Sequence, residues 1–528
     1  MIEGYLGRES VALGGEMTLH VSTDAPRFRL RFYRLGETLS FVGESGEFEG
    51  GEHPAPGHPD GLPGRASPAD DWTWPPITLT VPGTWTDGIH LVEFVESDGS
   101  GGTDGRESPP LLDLAHLEGH AREFFVVRPR SPGSRSRILY KKSTFTRHAY
   151  NRSDRPGLQR AVSLYDHPVH RAGDSGRPRG HKVSLHRPGG VIDLAYWDAP
   201  FIGWLERHGY GVEYATDLDL HEDPGLLASY DLLLSVGHDE YWSERMRDHA
   251  ESFVRDGGNI MFLSANTCWW RIHLTDDNTA FVSDTDHHVG EEYPHLPATD
   301  QWWTPEPDGV GNPENSLTGV SFRNGGMWAA EEWPGDRPRA GYTVQHAGHW
   351  IYEGTGLRDG SDGGTPDRLG AGTPLIGYEC DGAAYTYGTD GIARATGEDG
   401  TPDSFLILGM HVLEPVHEDF HHFRWGHWNT VVREPAVSSP RAATMGLYTA
   451  PGPTGGTVFT AGTTDWPVVC GHEQDPAVVR VTRNLLDRLR HRSHPGHPGH
   501  PGHPGHPGHR NHSVHRDHAE SRPGPPPE

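Results

Sequence analysis

The chain has 528 residues, with 73 acidic against 45 basic side chains and a net charge of −28, so nucleic acid and anionic membrane surfaces are disfavoured partners. A hydrophobic content of 34% with no apolar run of bilayer length excludes a membrane-spanning bundle, and 69 glycines with 45 prolines favour strands and long connections over packed helices. Cys268, Cys380 and Cys470 are odd in number and lack metal-type spacing, and MIEGYLGRES shows no leader pattern, which sets the expectation of a cytoplasmic protein without a disulfide framework.

Residues 1–128 read as short strands. Ser10–Ser22 and Phe28–Arg34 alternate apolar and polar positions, and Pro76–Pro82, Gly88–Val95 and Glu123–Val127 continue the pattern. Several such strands without a helix predict an immunoglobulin-like β-sandwich, with Gly/Pro/acid-rich insertions over 43–71 and 97–108. Residues 129–137, basic and rich in breakers, read as a linker.

From residue 138 to 490 strands alternate with helices, predicting a doubly wound, mostly parallel sheet of amidotransferase-like type. Asp198 is positioned to cap a helix ending near Gly209, and 211–215 follows as a strand. Asp231–Val236 is continuously apolar, as a strand covered on both faces requires. Ser243 caps the next predicted helix, Gly257-Gly258 stop it, and Asn259–Leu263 is the following strand, so 231–263 forms a strand-helix-strand unit with a right-handed parallel crossover. Residues 271–400 read as an irregular, loop-rich insertion. Strands return at 404–409 and 456–462, and Asp475-Pro476 opens a final helix. In the tail, 491–528, histidine recurs every third position from His491 to His518 in a Pro/Gly background that cannot build a core. That period matches a polyproline II turn and spaces the imidazoles about 9 Å apart, suited to no more than a weak metal or proton buffer.

Ligands of open parallel sheets bind beyond the carboxyl ends of the strands, which directs attention to the loops starting at 216, 237, 264 and 462. The densest, His238-Asp239-Glu240-Tyr241, offers an imidazole, two acids and a phenol for proton transfer or metal ligation. The alternative is that the acids are helix-start carboxylates followed by packing aromatics. Cys268 follows a strand but lacks the glycines of a nucleophile elbow, so a buried structural thiol is the stronger reading over an amidotransferase-like nucleophile. Asn266 and Asp465-Trp466 read as loop-fixing groups.

HGYGVEYATDLDLH, YDLLLSVGHDEYWSERMRD, GGNIMFLSANTCWWR, ENSLTGVSF and GGTVFTAGTTDW followed by DPAVVRVTRNLLDRL together resemble the large (beta) subunit family of N,N-dimethylformamidase, over roughly 190–490. The resemblance implies hydrolysis of a small, non-peptide amide at a mononuclear iron held by two tyrosines and one glutamate. Carried onto this chain, it suggests Tyr241 as a ligand, with Tyr196 and Asp300 as further candidates. His238, Asp239, Glu240 and Asn266 are the candidate catalytic groups. Phenolate and carboxylate are hard donors suited to ferric iron. A non-catalytic ligand-binding protein that has lost the iron ligands is the alternative, and a homo-oligomer or a small partner subunit stays open.

Overall fold

The computed structural model describes residues 2–54, 71–97, 121–151, 164, 182–283, 299–327, 339–413 and 440–492. Most of the two predicted N-terminal insertions and the histidine tail beyond Arg492 lie outside the described residues.

The N-terminal strands form two sheets. Ile2–Leu6, Glu16–Thr23 and Pro76–Thr80 make the smaller; Ser10–Ala12, Arg122–Arg128, Gly88–Ser97, Arg27–Leu35 and Leu39–Glu44 make the larger, with Phe48–Glu49 pairing on Arg27–Leu35. The stretch read as one strand over 10–22 is broken at Gly14, whose φ of 79° turns the chain between sheets. Leu19, Leu30, Phe32, Val92, Phe94 and Phe125 join the two sheets in one core. The larger sheet is buried on its other face too: Tyr33, Ile89, Leu91, Phe124 and Val126 belong to the same cluster as Tyr140, Trp204 and Leu232 of the following region. That double burial accounts for the apolar run Phe124–Val127.

Residues 129–137 are pinned rather than loose. Buried Glu213 accepts hydrogen bonds from the backbone N–H of Gly133 at 2.7 Å, Arg135 at 2.7 Å and Ser136 at 3.1 Å, and from Tyr230 Oη at 2.7 Å. Arg147 adds ion pairs to Glu9 and Glu123 across the same junction.

One central sheet organises the remainder. Its strands are β1 (Ile138–Lys142), β2 (Glu213–Thr216), β3 (Leu232–His238), β4 (Asn259–Ala265), β5 (Tyr342–Val344), β6 (Arg368–Leu369), β7 (Leu406–Val412), β8 (Ala442–Thr449) and β9 (Thr457–Thr460), in the spatial order β2-β1-β3-β4-β9-β8-β7-β5-β6. Pairings from β2 through β9 are parallel, and those from β9 to β6 antiparallel, so half the sheet departs from the mostly parallel expectation. The antiparallel half is built largely from the stretch read as irregular insertion and the strands after it. Helices cover both faces of the parallel half. α1 (Phe145–Tyr150), α3 (Asp217–Glu222) and α4 (Glu244–Arg255) share a core with Leu233, Ile260 and Phe262, whereas α2 (Ala199–Arg207), α5 (Trp466–Gly471) and α6 (Pro476–Leu489) pack with Leu234, Met261 and Phe459. Successive strand residues point to opposite faces, which is why Leu233 and Leu234 enter different cores.

Local signals decide several helix ends. Ser243 Oγ accepts from Met246 N at 3.3 Å, and Asp475 Oδ1 from Ala477 N at 2.8 Å and Val478 N at 3.0 Å. Asp198 does not cap α2: it lies in a π-helical turn, Leu194–Asp198, and its carboxylate takes Tyr140 Oη at 2.7 Å and pairs with Lys142 at 3.0 Å. A buried lysine outcompetes a helix amide for that carboxylate. Thr216, read as loop, forms a capping box with Asp219 that starts α3.

His90 supplies a pH test of the N-terminal core. Stacked between Trp85 and Phe125 at 5.2 and 5.5 Å, it is held neutral by burial, with its pKa pushed down to about 4. The folded-state pKa lies below the unfolded value, so this stability is present above about pH 6.5 and lost as pH falls towards 4. His90→Phe is expected to gain on the parent steadily across that interval in urea-melt midpoints. A pH-independent difference would refute it.

Candidate functional site

In the parallel half, chain order β1, β2, β3 reverses direction across β1, so the loops after β1 and β3 diverge at a switch point, where open sheets bind ligands. β3 ends at Gly237-His238. Gly237 has φ 79°, and a Cβ there would lie 2.7 Å from Trp197 Cβ, so glycine permits both the turn and the close approach of the indole. Directions alternate along the following four residues. His238 and Glu240 meet at the site, with His238 Nε2 3.4 Å from Glu240 Oε2. Asp239 goes to Lys141 at 2.8 Å and Ser235 Oγ at 2.6 Å, and Tyr241 packs against Phe281.

α1, following β1, holds Glu240 twice. Thr146 Oγ1 accepts from Glu240 N at 2.9 Å and Tyr241 N at 3.2 Å, and one turn later Tyr150 Oη donates to Glu240 Oε2 at 2.7 Å. On the other side Glu379, in the strand Glu379–Gly382, brings Oε2 to 2.8 Å from His238 Nε2, within ion-pair reach but without hydrogen-bond alignment. Rings of Tyr150, Trp197 and Tyr378 surround the imidazole at 5.1, 5.8 and 6.5 Å. The Asn266 carboxamide interacts with Glu379, and its Oδ1 is buried with no partner among the described residues. Asp381 accepts from Asn266 N at 2.8 Å and Thr267 N at 3.3 Å, holding a turn in which Asn266 and Cys268 take φ of 49° and 55°.

Burial disfavours a charged His238, but Glu379 and Glu240 overcome it and push the imidazole up to about 10. Burial also holds Glu379 above the usual carboxylate range despite His238. The His238–Glu379 pair therefore keeps a proton between them through neutral pH.

Of the residues singled out in the sequence, His238, Glu240 and Asn266 come together. Tyr196, in the π-helical turn, stacks edge-on against Trp197 at 5.3 Å and donates its hydroxyl to Asp465 at 2.7 Å, and Asp465 in turn accepts from Tyr378 N at 2.8 Å. Asp300 lies elsewhere, bound to Arg271 at 3.1 Å and His273 at 2.8 Å. Asp239 is buried outside the cluster and Tyr241 packs behind Tyr150 with ring centroids 6.5 Å apart, and the strand Tyr241–Ser243 separates Asp239-Glu240 from the helix start at Glu244, so the two acids are not helix-start carboxylates. Cys268 is fully buried, and burial pushes its thiol far up, against a nucleophilic role. The strained turn there forms without glycine. Tyr150 and Glu379 were not legible in the sequence. A phenol one turn into the helix after β1 is a weak signal, and Glu379 falls in the stretch read as irregular.

An imidazole between two carboxylates, ringed by phenols and an indole, lies beyond the ends of the parallel strands of a mixed sheet, at its switch point. A family model described as "N,N-dimethylformamidase beta subunit-like, C-terminal" matches residues 28–475, and the chain belongs to this family. The N,N-dimethylformamidase beta subunit of Paracoccus aminophilus is 26% identical over 335 residues, covering 56% of this chain and 41% of that protein. The one from Alcaligenes sp. is 26% identical over 255 residues, covering 46% and 30%. The chain thus spans less than half the length of these curated relatives. The family match begins at residue 28, so it takes in most of the N-terminal sheets, which the sequence motifs over 190–490 left out. Among the described residues no helix is long and apolar enough to cross a membrane.

Proposed function

We propose that this protein hydrolyses a small non-peptide amide to an acid and an amine, at a mononuclear iron site made by Tyr150, Tyr196 and Glu240. The observation that carries the reading is the contact of Tyr150 Oη with Glu240 Oε2 at 2.7 Å, beside the His238–Glu379 pair. The donor chemistry fits a hard cation: two phenols and a carboxylate, flanked by buried polar atoms, Asn266 Oδ1 and Glu379 Oε2, that lack aligned hydrogen bonds. Bound iron would supply a Lewis acid for the amide carbonyl.

The chain's own groups handle protons and orientation. Glu379 Oε2 accepts the proton of the attacking water, and His238 Nε2, already the charged partner, returns a proton to the departing amine nitrogen. Asn266 Oδ1 is available to accept a hydrogen bond from water or from an amide N–H. The rings of Tyr150, Trp197 and Tyr378 exclude bulk water and suit small alkyl substituents. The beta-subunit designation of the relatives supports assembly with a further polypeptide or with a second copy.

A second reading, ligand binding without catalysis, is favoured by the two phenols each donating to a carboxylate, Tyr150 to Glu240 at 2.7 Å and Tyr196 to Asp465 at 2.7 Å. Metal analysis and visible spectroscopy of the full chain, with amine release from a panel that includes N,N-dimethylformamide, separate the two. The enzyme reading expects stoichiometric iron with a phenolate-to-iron band, which histidines of the tail cannot produce. A colourless protein that releases no amine would overturn it.

A further inference from the structure

We propose that Asp465 is a positioning residue that ties Tyr196 to the segment carrying Glu379, so that the two sides of the site are set by one carboxylate. The proposal rests on the reading of Tyr196 and Glu379 as site groups given above.

Asp465 stands at the start of α5, where an aspartate ordinarily accepts hydrogen bonds from the first helix amides. Here its side chain caps nothing, although it is only 1% exposed. Its oxygens turn instead towards the site. Oδ1 accepts from Tyr196 Oη at 2.7 Å, and Oδ2 accepts from Tyr378 N at 2.8 Å and Thr464 Oγ1 at 3.0 Å. Glycine at 377 is what lets the carboxylate reach that backbone, because a Cβ there would collide with Oδ2.

The residues before Asp465 extend the same grip. Thr463 Oγ1 accepts from Gly377 N at 2.9 Å and donates to Leu375 O at 2.7 Å. Thr464 N donates to Glu379 O at 3.2 Å, Glu379 N to Thr464 Oγ1 at 3.4 Å, and Asp381 N to Gly462 O at 3.1 Å. The Gly462-Thr-Thr-Asp465 loop therefore holds residues 375–381 along their length, and Asp465 also reaches Tyr196. Tyr196 sits in a π-helical turn, a wider turn often found at functional sites, and a fixed acceptor gives its phenol a defined direction. Carboxylates that orient groups from behind in this way typically change affinity or activity about 10–100-fold when altered.

The test uses full-length Asp465→Asn, Tyr196→Phe and the double variant. Asparagine keeps the size of the side chain and one acceptor oxygen, but presents an N–H₂ to a second donor. Asp465→Asn is expected to shift the phenolate-to-iron band and weaken iron binding about 10–100-fold. The double variant should bind no more weakly than Tyr196→Phe alone. In metal-free protein the amides of 377–381 should exchange hydrogen at least about tenfold faster, as expected of a local opening, with exchange in α4 and α6 unchanged. Additive losses in the double variant, or an unshifted band in a folded iron-loaded Asp465→Asn, would overturn the proposal. If the parent binds no iron, the reading of the function fails by itself. Asp465 is then judged by exchange alone, and unchanged protection of 377–381 in Asp465→Asn removes it.

Discussion

Replacing Glu240 by Gln is expected to strip the protein of its iron and lower amide turnover by more than about 100-fold, beyond the usual cost of altering an outer-shell partner. The side chain lies between Tyr150 Oη at 2.7 Å and His238 Nε2 at 3.4 Å, while its backbone is fixed independently by Thr146. Glutamine is isosteric, so the strand end and α1 retain their geometry and the loss is chemical rather than conformational. Iron content, the visible band and kcat on the same preparation check it. Tyr241→Phe is the control. The ring packs against Phe281 and Tyr150 at 6.1 and 6.5 Å, and the phenylalanine preserves that packing, so iron should stay at parent stoichiometry. Retained iron in Glu240→Gln, or its loss in Tyr241→Phe, would reverse the ligand assignment.

Lys141→Met is expected to be the most destabilising single change in the sheet, by about 3–5 kcal/mol. Lys141 Nζ, on a side chain 1% exposed, pairs with Asp217 at 2.5 Å and Asp239 at 2.8 Å and lies 4.7 Å from the Trp242 ring centroid. Methionine fills the space but leaves two buried carboxylates facing each other. Asp217 keeps the backbone N–H of Thr144 and Phe145, and Asp239 keeps Ser235, so part of their solvation survives. Burial already holds the Asp217 pKa above its ordinary value, so without the lysine Asp217 takes up a proton more readily. The deficit in urea-derived unfolding free energy should therefore shrink as pH falls, and adding Asp239→Asn should recover part of it at neutral pH. A loss below about 1 kcal/mol at pH 7 would mean that the two acids are not sealed from water.

Features decided within a few residues were legible from the chain itself. The strand-helix-strand unit over 231–263, the Ser243 and Asp475 caps and the chemistry-bearing loop at 238–241 each depend on apolar period, a capping oxygen or a strand end. Even the split within His238-Asp239-Glu240-Tyr241 follows from a local rule, because side chains alternate along extended backbone. Applied there, it pairs His238 with Glu240 and sends Asp239 and Tyr241 the other way. Tyr241 is suggested by its place in the motif that resembles the family and Asp300 by its acidity, and neither a motif position nor a residue type carries a direction.

The remainder was decided by tertiary structure. Glu379 reaches His238 only because its strand is gripped by the loop after β9, through contacts spanning more than 80 positions, and no period or spacing encodes that approach. Asp198 and Asp465 both stand where a helix cap is the local expectation. Both give their carboxylates instead to groups brought from far along the chain, Lys142 in one case and Tyr196 in the other. A buried lysine has no alternative partner in water, and a phenol held beside a backbone amide gives one carboxylate two fixed donors, so each carboxylate is claimed by groups at the buried helix start other than the helix's own amides. Sequence alone thus determined the strand-helix-strand unit, the final helix and which loop carries the chemistry. Only the packed molecule determined which side chains meet, because that choice depends on competition for burial and hydrogen bonds among residues distant along the chain.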